Sequence, residues 1–170
     1  MKNKGVVFTT QAAMIAAIYV VLTVVFAPFS FGSVQVRIAE ALTILPAFTP
    51  AAIPGLFVGC LIGNILGGAM LPDIIFGTLA TLIGAVFTYI LRNQNKFLAP
   101  LPPIVANTVI IPYVLRFAYG EAIPIPLLML SIGIGEVISC GVLGMILYFT
   151  LNKYKPVSYT HLRAHETTLH

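Results

Sequence analysis

Six long apolar runs, each closed by a short polar or proline- and glycine-rich break, make up most of this chain. They lie near residues 6–28, 34–48, 50–68, 71–92, 98–119 and 124–151. A helix rising about 1.5 Å per residue needs about 20 residues to cross a hydrocarbon core of about 30 Å. The pattern therefore predicts six transmembrane helices. The breaks carry residues that stop helices: Pro28, Ser30 and Gly32, then Pro46 and Pro50, Gly67, Gly68 and Pro72, the polar stretch 92–96, and Tyr119 with Gly120. The 34–48 run is short for a full span and is expected to be tilted, or shielded by neighbouring helices.

Composition supports this reading. Of 170 residues, 59% are hydrophobic and 8% charged, where a soluble domain carries about 25% charged residues. Mean hydropathy is +1.01. The expected fold class is an all-α integral membrane protein, a six-transmembrane-helix bundle, with one domain over residues 1–156. Residues 157–170, VSYTHLRAHETTLH, are polar and lack an apolar period, so this tail is expected to be non-native or disordered. His161 and His165 fall within it and are not read as a metal site. The first run continues too far for a cleaved signal and has no A-x-A site, so it reads as the first helix.

The net charge of +4 comes from basic residues at segment ends, as the positive-inside rule produces, and does not indicate nucleic-acid binding. With six spans, Lys2, Lys4, Arg92, Lys96, Lys153 and Lys155 all fall on one side. That side is expected to be cytoplasmic, with both termini on it. The connections 29–36, 67–73 and 119–126 then face outward.

Against this background a few polar residues stand out. Glu40 in VQVRIAEALTILP and Glu136 in LSIGIGEVISCGVLG place carboxylates where charge is costly. Arg37, Glu40 and Thr43 recur at i, i+3 and i+6 and share one helix face, as do Glu136 and Ser139. Asn64 and Asn107 are deep in their helices, and Asp73 follows Pro72 at a helix start. Each has a structural explanation: an Arg37–Glu40 pair, helix-to-helix amide bonds, and helix-dipole stabilisation of Asp73. Depth favours a binding role as well. Arg37, Glu40, Asn64 and Asp73 fall in the outer half, and Glu136 near mid-membrane. The candidate substrate-binding residues are thus Glu136, Glu40, Arg37, Asn64, Asp73, Asn107 and Ser139. Phe29, Phe31, Tyr113, Phe117 and Tyr119 are available at the outer end to stack on a flat ligand.

Small residues form two stripes. Ala12, Ala13, Ala16 and Ala17 make overlapping A-x-x-x-A pairs, and Gly55, Gly59, Gly63 and Gly67 repeat at i+4. Such faces serve close internal packing or the docking of a partner helix. Cys60 and Cys140 lack any CxxC or Cys/His spacing and read as core packing, so no metal and no cofactor is expected. There is no P-loop, no H-E-x-x-H, no G-x-S-x-G and no histidine before residue 161. No catalytic residue is therefore expected, and the economical reading is a solute binder without its own ATPase.

Four stretches, VQVRIAEALTILPAFTPAAIPGLFVGCLIGN, LPDIIFGTLATLIGA, LAPLPPIVANTVIIPYVL and IGIGEVISCGVLG, together resemble the QueT family over about residues 8–155. Members are queuosine-precursor transporters of the S-component type, the substrate-binding subunits of energy-coupling factor (ECF) importers. The resemblance implies a six-helix subunit that takes up a 7-deazaguanine base. It would work with a transmembrane coupling protein and two ATPase subunits. It also implies docking through Ala12, Ala13, Ala16 and Ala17, and a ligand-capping role for residues 29–36. Other readings are an S component for another flat heterocycle such as riboflavin, a membrane assembly protein, and, last, a small intramembrane enzyme using Glu40 or Asp73.

Overall fold

The computed structural model describes residues 3–30 and 36–154, apart from the side chains of Phe29 and Ser30. Most of the expected capping segment 29–36, Phe31 included, lies outside the described residues. So does the whole tail 157–170 with its histidines. The described residues form helices and turns and no strand. This is an all-α membrane protein.

In order, the elements are α1 (Lys4–Val25), the single turn α2 (Ala27–Ser30), a 3₁₀ helix (Ile38–Ala47), α3 (Ala52–Leu66), α4 (Leu71–Leu91), a 3₁₀ turn (Lys96–Leu98), α5 (Leu101–Phe117) and α6 (Ile125–Glu136). The last helix runs on through a π-helical segment (Val137–Leu143), so that Ile125–Tyr154 is one 30-residue rod. Among the described residues, four segments are long and apolar enough to cross a membrane: Lys4–Val25, Leu71–Leu91, Lys96–Phe117 and Ile125–Tyr154.

The 34–48 run departs from an ordinary span. It is a ten-residue 3₁₀ helix with Pro46 inside it, buried on every side from Ala39 to Ile44. Runs of 3₁₀ helix beyond three or four residues are uncommon because their hydrogen bonds are poorly aligned. This one is enclosed by α1, α4 and the π segment. The shielding expected from its length is what the fold supplies, and at about 2 Å per residue the tighter helix still extends about 20 Å.

Small residues set the helix spacings. The glycine stripe of α3 packs on α1, with Gly55 against Ala12 and Ile15, Gly59 against Ala16 and Tyr19, and Gly63 against Thr23. A methyl group at Gly59 would sit 2.8 Å from Tyr19 Cβ. Gly84 of α4 does the same against the Pro103 backbone of α5, at 2.7 Å. Where lipid tails give no hydrophobic drive between helices, such close approaches supply the packing energy. Two alanine faces thereby separate. Ala12 and Ala16 belong to the internal seam, whereas Ala13 and Ala17 are exposed on the outer surface of α1.

Candidate functional site

Polar atoms gather where the 3₁₀ helix, α1, α3, α4, α5 and the π segment meet. Arg37, Glu40, Thr43, Asn64, Asp73, Thr81, Asn107, Glu136 and Ser139 are all buried. Three residues per turn make i and i+3 eclipse, so the 3₁₀ geometry aligns Glu40 and Thr43 more closely than an α-helix would, with Arg37 three residues before Glu40 at the extended N-cap position.

Glu40 occupies the middle of this row. Its Oε1 accepts a hydrogen bond of 2.5 Å from the Tyr19 hydroxyl of α1. Thr81 Oγ1 of α4 lies 3.4 Å from the same oxygen, but 3.0 Å from the Gly77 carbonyl and 3.3 Å from Cys60 Sγ. A hydroxyl has one proton to donate, so Tyr19 is the stronger partner. Glu40 Oε2 has no hydrogen-bond partner among the described residues. Asn64 joins the cluster through Cys60, its Nδ2 lying 3.4 Å from the sulfur.

Glu136 faces Glu40 from the other side. A carboxylate oxygen of each and Cys140 Sγ all lie within 4.8 Å of one another. The Cys140 thiol donates to Glu136 Oε2 at 3.1 Å and also contacts Thr43 Oγ1 at 3.4 Å. The π segment that carries Ser139 and Cys140 starts directly after Glu136, and such one-residue widenings of a helix recur at functional sites. Asn107 of α5 lies beside both carboxylates, and its Nδ2 is buried with no geometrically complete hydrogen bond among the described residues. Ser139 Oγ is likewise buried and has no partner among the described residues. Buried groups left in this way each cost about 1–3 kcal/mol, so they are rare unless something completes them.

Toward the α3–α4 connection, Arg37 Nη2 pairs with Asp73 Oδ2 at 3.3 Å, both side chains buried. Asp73 also accepts from the Tyr119 hydroxyl at 3.2 Å, and that hydroxyl accepts from the Met70 backbone N–H at 3.0 Å. Partial burial raises the Tyr119 phenol above its ordinary range, with the neighbouring Asp73 charge acting the same way, so it remains a donor. Gly77 leaves the room for this convergence. A methyl group there would lie 3.3 Å from both Asn64 Nδ2 and Asp73 Oδ1.

All seven candidate binding residues thus face the interior, in two linked groups. Arg37 and Asp73 form one group. Glu40, Glu136, Asn107 and the Cys60–Asn64–Thr81 set form the other, with Ser139 in the adjoining π segment. Asp73 is more than a dipole-stabilised helix start, because it balances Arg37. Tyr113 and Phe117 stack on each other and line an apolar groove of about 520 Å³ between α4 and α5, away from the polar centre. Tyr19, Thr81 and the two cysteines are members that residue type alone did not single out. A signal for Thr81 was present, since Asp73, Gly77, Thr81, Gly84 and Thr88 form a small and polar stripe at helical spacing along α4.

Comparison with known proteins gives two matches. The family model described as QueT transporter matches residues 9–153. The queuosine precursor transporter QueT of Lactococcus lactis subsp. cremoris (strain MG1363) is 33% identical over 98 residues, which cover 56% of this chain and 57% of that protein. The chain thus spans little more than half the length of that relative in the match. No solved structure matches the chain.

Proposed function

The chain belongs to the QueT transporter family, and on that footing we propose that it is the substrate-binding membrane subunit of an ECF-type importer for a queuosine precursor, a 7-deazaguanine base. The observation that carries the proposal is the buried pair of carboxylates, Glu40 and Glu136, with Asn107 Nδ2, open among the described residues, beside them. A guanine-like edge presents an N–H and an exocyclic amine side by side, and a carboxylate accepts both. Glu136 suits that edge, because its contact from Cys140 is a weak thiol bond that leaves its oxygens strong acceptors. Asn107 Nδ2 suits the ring carbonyl. The Asn107 contact would meet a hydrogen bond left open among the described residues, which is where a polar ligand gains most.

Residues 1–156 are one membrane domain in this reading, multi-pass, with both termini cytoplasmic. Lys96 Nζ lies 5.1 Å from the Phe149 ring, which supports placing the α4–α5 connection and the end of α6 on one side. The chain performs no catalysis and takes ATP hydrolysis from two partner ATPases through a coupling protein. The exposed Ala13 and Ala17 face of α1 is the docking surface.

Uptake of a labelled 7-deazaguanine by cells carrying this chain with and without an ECF module tests the proposal. Uptake that needs both is the expected result. Uptake by the chain alone overturns the S-component role.

A further inference from the structure

The stacked rings of Tyr113 and Phe117 take no part in the polar centre. With Phe76 of α4 and Val109 of α5 they line the apolar groove of about 520 Å³, and each of the four side chains is at least 46% exposed. Among the described residues, then, no helix covers the groove. Val109, Tyr113 and Phe117 recur every four residues, so it runs about 12 Å along α5. One leaflet of a hydrocarbon core about 30 Å thick is about 15 Å deep, so a single acyl chain spans that length.

Arg116 stands at the terminal end of this groove. It follows Val109 by seven residues and Tyr113 by three, which sets it on the same face of α5. Its side chain is exposed, and Nη1 donates to the Glu121 backbone carbonyl at 2.6 Å. No carboxylate pairs with it among the described residues. The carbonyl bond steadies one arm of the guanidinium and leaves the other donors of a planar fork that matches phosphate oxygens. Clustering of basic residues does not account for Arg116. Arg92, Lys96 and Lys153 gather at the other end of α5, where Lys96 lies against the Phe149 ring.

We infer that the α4–α5 groove seats one membrane phospholipid of net negative charge. An acyl chain lies against Phe76, Val109 and Tyr113, and the phosphate rests on Arg116. An apolar channel less than one leaflet deep with a cation at its mouth matches both halves of such a molecule. A zwitterionic lipid fills the channel equally well but brings a second cation beside Arg116, so the headgroup charge sets the preference.

Native mass spectrometry of the purified full chain tests this, with the chain released from micelles that hold equal amounts of phosphatidylglycerol and phosphatidylcholine of one chain length. The expected result is one lipid retained per chain, phosphatidylglycerol over phosphatidylcholine by about fivefold, the effect of one interfacial basic residue. Arg116→Gln is expected to bring that ratio to about one. Val109→Trp is expected to fill the groove and remove the retained lipid, and Lys96→Gln to change neither result. All three side chains are exposed, and cooperative melting of each variant verifies its fold. Equal retention of the two lipids by the wild type overturns the inference, as does a preference that survives Arg116→Gln or is lost in Lys96→Gln. Undiminished lipid on Val109→Trp overturns it too, and so does a dimer of the chain appearing in place of the lipid.

Discussion

The Tyr19 hydroxyl and the Glu40 carboxylate are joined by a 2.5 Å hydrogen bond between α1 and the 3₁₀ helix. The bond links the helix that carries the exposed alanine face to the residue at the centre of the polar cluster. Hydrogen bonds to charged groups contribute about 1.5–3 kcal/mol. Tyr19→Phe keeps the ring in its seam beside Gly59 and removes only the donor. It is expected to weaken ligand binding about tenfold with little loss of helicity. Titration alongside circular dichroism measures both.

Arg37 and Asp73 depend on each other. Removing one partner of a buried ion pair costs about 3–5 kcal/mol, because the remaining charge stays uncompensated, while an apolar pair of similar volume is nearly neutral. Asp73→Leu is therefore expected to lower the melting temperature in detergent sharply, and the double change Arg37→Met with Asp73→Leu to recover most of it. A double variant as unstable as the single one contradicts the pairing.

The glycines divide by position. Gly59→Ala and Gly84→Ala force a methyl group to within 2.8 Å of Tyr19 Cβ and 2.7 Å of Pro103 Cα respectively. Overpacking of this kind costs about 1–3 kcal/mol. At Gly133 the nearest atoms are Thr108 side-chain atoms at 3.5 Å, so Gly133→Ala is expected to be nearly neutral. Thermal denaturation of the three variants separates the cases.

Much of this arrangement was readable from the chain. The apolar runs and their proline and glycine breaks located the helices, and the rarity of charge picked out residues that gather in one buried polar cluster. The pairing of those charges was not readable. Sequence spacing put Arg37 beside Glu40, but its ion pair is with Asp73, 36 positions away. Local spacing reports a shared face, while a partner on another helix depends on how the helices pack. The 3₁₀ and π geometries were hidden for the same reason, since both are imposed by the surrounding helices rather than by local propensity. Cys140 was read as a packing residue and Tyr19 was not singled out, because both side chains are mainly apolar in kind and only their neighbours turn them into hydrogen-bond donors.

The two alanine faces of α1 are expected to respond differently. Ala16→Leu enters the seam with α3 and is expected to destabilise the chain. Ala13→Leu with Ala17→Leu changes only the exposed face, leaving melting and ligand binding near wild type, and is expected to abolish uptake in cells that supply the ECF module. Melting, titration and uptake measured on both variants distinguish a packing face from a docking face.

Titration of the purified wild-type chain and of Glu136→Gln with unsubstituted 7-deazaguanine is the most direct test of a base-recognition pocket inside the bundle. The prediction is saturable binding to the wild type and a loss of at least about tenfold in a Glu136→Gln variant that still melts cooperatively. Absence of saturable binding to the wild type, or affinity in Glu136→Gln within about threefold of it, would contradict the pocket.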